Sequence, residues 1–93
     1  MYSLVVLNKA KRDIQKLKKR DANVGKKIEK VLYKLAINPF EIGLKTHKVK
    51  TKMNGSVYST RITGDLRIIW KFEGGKIILV LAIGGHSGKH SVY

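Results

Sequence analysis

The chain has 93 residues, enough for one domain (1–93) with a modest core, and carries 20 Lys and Arg against 6 Asp and Glu, a formal net charge of +14. It has no cysteine, which excludes a disulfide scaffold and thiol chemistry. No apolar run approaches the ~18 residues of a membrane span, and the N-terminal MYSLVVLNKAKRD has its charges on the wrong side for a signal peptide, so the expected setting is cytoplasmic.

So lopsided a charge destabilises a lone compact chain by self-repulsion and implies an acidic partner: nucleic acid, an anionic surface or an acidic protein. Fifteen of the 20 cations precede residue 53. The first half is therefore basic and helical in pattern. The second is β-patterned, with few charges at particular places.

YSLVVL, residues 2–7, is short, apolar and β-branched, and reads as a strand. Asn8 is a candidate cap for a helix in which Ala10, Ile14 and Leu17 recur at helical spacing. Asp21 and Asn23 offer a break and a second cap. Val24, Ile28, Val31, Leu32, Leu35 and Ala36 then form the cleanest helical stripe, stopped by Asn38 and Pro39. Residues 40–56 have mixed periodicity, with room for some strand, and end in an Asn54-Gly55 turn signal.

Val57 to Thr63 reads as a strand, followed by a tight hairpin at Gly64-Asp65. Leu66, Ile68, Trp70 and Phe72 alternate with Arg67, Ile69 and Lys71, giving a strand with one core face. Gly74-Gly75 turns again, and Lys76 to Ile83 reads as a central strand buried on both faces, apolar from Ile77 onward. The order β-α-α-β-β-β predicts an α+β fold, a four-stranded, largely antiparallel sheet with both helices on one face. The opposite face is expected to be partly open, within reach of Arg67, Lys71 and the last ten residues.

No metal-ligand spacing is present, since the three histidines have no cysteine and no carboxylate cluster beside them. GGHSG follows a strand with no helix after it, so phosphate-loop and nucleophile-elbow readings fail on context. No cofactor is implied. What remains is a set of polar residues at strand ends: His47, Arg61, Asp65, Arg67, His86, His90 and Tyr93. Cleaving RNA needs little more. A base takes the ribose 2′-hydroxyl proton, an acid protonates the departing 5′-oxygen, and a cation stabilises charge on phosphorus. Histidine suits either proton role, arginine forks onto two phosphate oxygens, and tyrosine stacks a base. Lys48, Lys50 and Lys52 alternate, so they either line one face of an extended RNA-binding segment or blunt a solvated edge. Taken singly, each of these residues also has an ordinary reading as surface, turn or tail. Composition alone stops at a basic α+β nucleic-acid binder.

The assembled pattern resembles a known family. KTHKVK, then VYSTRITGDLRIIWKF, then ILVLAIGGH and a final SVY look like the RelE superfamily, the toxin halves of type II toxin–antitoxin pairs, near its YafQ-like and RelE/StbE-like branch. The resemblance implies a matching fold and ribosome-dependent cleavage of mRNA in the A site, without a metal. It implies an acidic antitoxin as partner, contact with DNA only through the antitoxin complex, and no membrane. Carried over, His47 matches a proposed catalytic histidine, and Asp65 the acidic residue opening the third strand. Arg67 matches the arginine on the scissile phosphate, and Arg61 lies near a catalytic cation. His86 in GGHS matches the G-x-H histidine and Tyr93 the terminal aromatic. Here SGKH separates His86 from SVY, which makes His90 a rival for the same role. Ser59 stands where RelE-like members carry a lysine, and Lys48, Lys50 or Lys52 is the candidate replacement.

Two other functions fit the same fold. ParE-like relatives inhibit DNA gyrase and do not need His47, Asp65 and His86 to converge. A non-catalytic nucleic-acid-binding module would bind with steep salt dependence and leave RNA intact.

Overall fold

The computed structural model describes residues 1–85. In chain order the elements are β1 (Ser3–Val6), α1 (Asn8–Arg20), α2 (Ala22–Ile37), a 3₁₀ turn (Ile42–Leu44), β2 (His47–Thr51), β3 (Gly55–Arg61), β4 (Leu66–Glu73) and β5 (Ile77–Gly85). The strands form one five-stranded sheet in the order β1-β5-β4-β3-β2, with β1 parallel to β5 and all other pairs antiparallel. The fold is α+β as expected, but the four-stranded expectation is one strand short. The extra strand is β2, within residues 40–56. Its Lys48 and Lys50 alternate with Val49 and Thr51, and lysine on an edge strand hides the apolar content that marks interior strands.

Asp21 separates the helices. Its carboxylate accepts the Asn23 backbone N–H at 2.9 Å, capping α2. Asn8 is not a cap: it is the first residue of α1, and extended Leu7 holds the cap position with no side-chain hydrogen bond. Leu7 is committed twice over, its N–H to the Val80 carbonyl and its carbonyl to Lys11 N–H, so β1 runs directly into the helix. The helices approach closely at Gly25, where a Cβ would stand 2.7 Å from Lys18 Cγ.

Both helices cover one sheet face. Ala10, Ile28 and Leu35 pack with Leu44, Ile68, Trp70, Ile78, Val80 and Ile83 in the main core. Burying Trp70 alone removes enough apolar area to contribute about 4–6 kcal/mol of transfer free energy. Its ring stacks on Tyr58 at 4.7 Å and meets Phe72 edge-on at 5.0 Å.

The other face is not simply open. Val57, Ile69, Leu81 and Ala82 form a second buried cluster there, flanked by Val49 and Leu79. β4 therefore lacks the single core face its alternation predicts, because Ile69 is buried opposite Ile68 and Trp70. β5 is buried on both faces, as expected, but it runs on through Gly84 and Gly85. A bulge explains its pattern. Trp70 pairs with Val80 and Ile69 with Ala82, so Leu81 has no partner on β4. Leu81 and Ala82 consequently join the same cluster, and every later residue of β5 changes face.

The β3–β4 connection also differs from the expected two-residue hairpin. Four residues, Ile62 to Asp65, separate the strands. The Thr63 hydroxyl closes the loop by accepting the N–H groups of Asp65 at 3.3 Å and Leu66 at 3.0 Å.

Candidate active site

The start of β2, the end of β3, the start of β4 and the end of β5 meet at one end of the sheet. Register settles which side chains share a face. His47 pairs with Ser59, Ser59 with Ile69, Arg61 with Arg67, and Arg67 with Gly84. Cross-strand partners point the same way, and Ile69 belongs to the helix-free cluster. His47, Arg61 and Arg67 therefore stand on the helix-free face. The bulge puts a glycine across from Arg67; without it, that partner would be Ile83.

The two arginines are held by one acceptor. Arg67 Nη1 donates to the Thr63 carbonyl at 2.7 Å and to the Leu66 carbonyl at 3.2 Å, and Arg61 Nε donates to the same Thr63 carbonyl at 3.3 Å. Ion pairs among the described residues are Lys9–Asp13 and Lys18–Glu29, so neither arginine is ion-paired with another described residue. Two guanidinium groups gathered on one neutral oxygen make a local concentration of positive charge that suits an anion such as phosphate.

His47 is oriented by its own turn. Its Nδ1 lies 3.1 Å from the Lys45 carbonyl. A carbonyl only accepts, so Nδ1 is the donor of that bond and Nε2 is the ring nitrogen it does not use. Lys45 sits in the left-handed region at φ 51°, which costs a non-glycine residue about 1–2 kcal/mol. A hydrogen-bonded chain leads out of the core to this corner. Trp70 Nε1 donates to Thr60 Oγ1 at 2.7 Å, and Thr60 Oγ1 shares a 2.7 Å hydrogen bond with Thr46 Oγ1, next to His47. Sequence reasoning misses this relay because threonines in a strand look like ordinary β-branched filler.

The remaining candidates fall elsewhere. Asp65 is exposed on the loop beside Arg67. Lys48 and Lys50 share a face, but it is the face of β2 opposite His47, and Lys52 lies past the strand in the turn. Ser59 is buried between His47 and Ile69 in the register. His86, His90 and Tyr93 lie outside the described residues. Among the described residues no three His, Cys, Asp or Glu side chains gather as a metal site.

The profile of the family described as the YoeB-like toxin of bacterial type II toxin–antitoxin systems matches residues 7–86. The chain belongs to the YoeB-like toxin family. The resemblance to the RelE superfamily is thereby borne out, on its YoeB-like side. The fold is similar to the YoeB/ParE toxin from Agrobacterium tumefaciens, with TM-score 0.77, 24% identity, and coverage of 94% of this chain and 100% of that one. It is similar to the YoeB of a YoeB–YefM complex from Staphylococcus aureus, with TM-score 0.72, 22% identity and coverage of 94% and 99%. It is also similar to the E. coli DinJ–YafQ complex, with TM-score 0.65, 19% identity and coverage of 92% and 94%. No curated protein sequence matches the chain. No helix among the described residues is long and apolar enough to cross a membrane.

Proposed function

We propose that this YoeB-like toxin is a ribosome-dependent mRNA endonuclease of the cytoplasm, held in check by an acidic antitoxin. The observation that carries the reading is the pairing of Arg61 and Arg67 on one carbonyl, on the same sheet face as His47, whose Nδ1 is oriented by the Lys45 carbonyl. In this mechanism His47 Nε2 takes the proton of the ribose 2′-hydroxyl. The 2′-oxygen attacks phosphorus, the bond to the 5′-oxygen breaks, and the arginines stabilise the charge on the phosphorane. By Cα position His47 is two strand spacings from β4, roughly 10 Å, a span that a bound nucleotide and the long arginine side chains close together. The acid for the 5′-oxygen falls to the tail histidines His86 or His90, and base stacking to Tyr93. Asp65 serves by holding the Arg67 loop. No metal takes part.

The antitoxin reading is supported by family membership and by complexes among the similar structures, YoeB–YefM and DinJ–YafQ. A +14 chain gains most from a partner of opposite sign.

The test adds the chain to a reconstituted translation reaction and maps mRNA 5′ ends by primer extension, with Arg67→Ala, His47→Ala, His86→Ala and a ribosome-free control beside it. Ribosome-dependent cuts that weaken at least ~100-fold in Arg67→Ala are expected. Intact mRNA with translation still running sinks the reading, and a gyrase supercoiling assay then decides whether the chain acts as ParE-like toxins do.

A further inference from the structure

On the helix side of the same sheet end lies a cleft of about 380 Å³, lined by Lys27, Lys30 and Lys34 of α2, by Lys45, and by Arg61, over Val31, Leu44 and Ile62. Five of its lining residues are cations. One carboxylate comes near: Glu41 Oε1 lies 3.1 Å from where a Cβ on Gly43, at the rim, would stand. None of the five cations is in an ion pair among the described residues. The three helix lysines are spaced i, i+3 and i+7, so each repels the next across one turn of α2. Lys45 meets them from a strained, left-handed backbone. The lysines repel one another, and an anion laid in the cleft relieves that repulsion.

The cleft and the candidate active site lie on opposite faces of the sheet end and meet at Arg61, which lines the cleft and shares the Thr63 carbonyl with Arg67. We infer that the cleft is a binding track for single-stranded RNA, holding the sugar–phosphate backbone of the substrate strand where it leaves the scissile phosphate. This rests on the nuclease reading for the identity of the strand. The helix lysines span about 10 Å along α2 at 1.5 Å per residue. A stacked strand carries one charge per ~3.4 Å, so three lysines meet about three phosphates. Among the described residues the cleft has no aromatic lining, so it grips backbone without reading bases.

The experiment measures binding of a fluorescent 2′-O-methyl RNA oligonucleotide, which lacks the attacking hydroxyl, by anisotropy across a salt series. The wild type is compared with Lys27→Gln/Lys30→Gln/Lys34→Gln and with a charge-matched variant, Lys16→Gln/Lys19→Gln/Lys76→Gln. Every lysine withdrawn from a phosphate lowers the slope of log K against log salt by ~0.7, so the cleft variant should fall by about 2 in slope. The charge-matched variant should keep a slope near wild type. Equal decreases in both overturn the track, because bulk charge then explains the binding. Weakened affinity for a polyglutamate probe with RNA binding unchanged also overturns it, and assigns the cleft to an acidic peptide. The two readings fail separately. If wild type shows the cleft-dependent slope yet cuts no mRNA on ribosomes, the nuclease reading falls and the RNA track stands.

Discussion

The two faces of this sheet are built on different principles. The helix-covered face is a conventional interior, with Trp70, Ile68, Ile78 and Val80 each 0% exposed beneath two helices. The helix-free face has only a small cluster at its middle, Val57, Ile69, Leu81 and Ala82, and gives its end to Arg61, Arg67 and His47. The first face is held by area removed from water, which tolerates no charge. The second is held by register and by a few directed hydrogen bonds to carbonyls, which fix charged groups at the surface or half-buried. One sheet can serve both ends because alternation keeps them apart. The relay from Trp70 through Thr60 to Thr46 is a polar route from the core to the His47 corner.

Truncating each face should therefore damage different properties. Trp70→Ala opens the main core, and a loss of about 3–5 kcal/mol in urea unfolding is expected. A smaller loss than Ile69→Ala would reverse the ranking of the two faces. Arg67→Ala should slow ribosome-dependent cleavage by ~10²–10³, about 3 kcal/mol on the barrier, with the unfolding midpoint nearly unchanged. An equal fall in stability would make Arg67 a structural residue.

Thr60→Val sits between the two. It strands the buried Trp70 N–H and should cost about 1–3 kcal/mol, while Thr60→Ser restores most of it. If the relay positions His47, the valine variant also shifts the His47 ring resonances in NMR and lowers kcat more than it raises KM. Asp21→Ala removes the cap of α2 and should cost about 1 kcal/mol without touching cleavage. At the bottom of the scale, Glu29→Gln breaks the exposed pair with Lys18, and a change within ~0.5 kcal/mol is expected from the same unfolding curves.

Much of this is legible in the sequence. Helical spacing from Val24 to Ala36 and the apolar run from Ile77 to Ile83 mark α2 and β5 directly, because both patterns report burial. β2 is obscured because an edge strand buries little, and its lysines read as surface. The bulge at Leu81 is invisible for a related reason: where both faces are buried, an apolar run carries no alternation to break. Its effect, a glycine opposite Arg67, therefore has no sequence signal beyond the Gly84-Gly85 pair itself. His47, Arg61, Asp65 and Arg67 stand out at strand ends, where polar residues interrupt a hydrophobic pattern. Lys27, Lys30, Lys34 and Lys45 are hidden in a general excess of positive charge, since only the packing of α2 against the 3₁₀ turn gathers them.

Trp70 is the only tryptophan in the chain, and its indole N–H is the first link of the hydroxyl relay. The molecule thus carries an intrinsic optical reporter at the joint between core and site. An indole that keeps its hydrogen bond emits further to the red than one left bare in an apolar pocket. The wavelength of a single emission band therefore reads the state of the His47 corner, without label or substrate, in the free toxin and beneath whatever covers it.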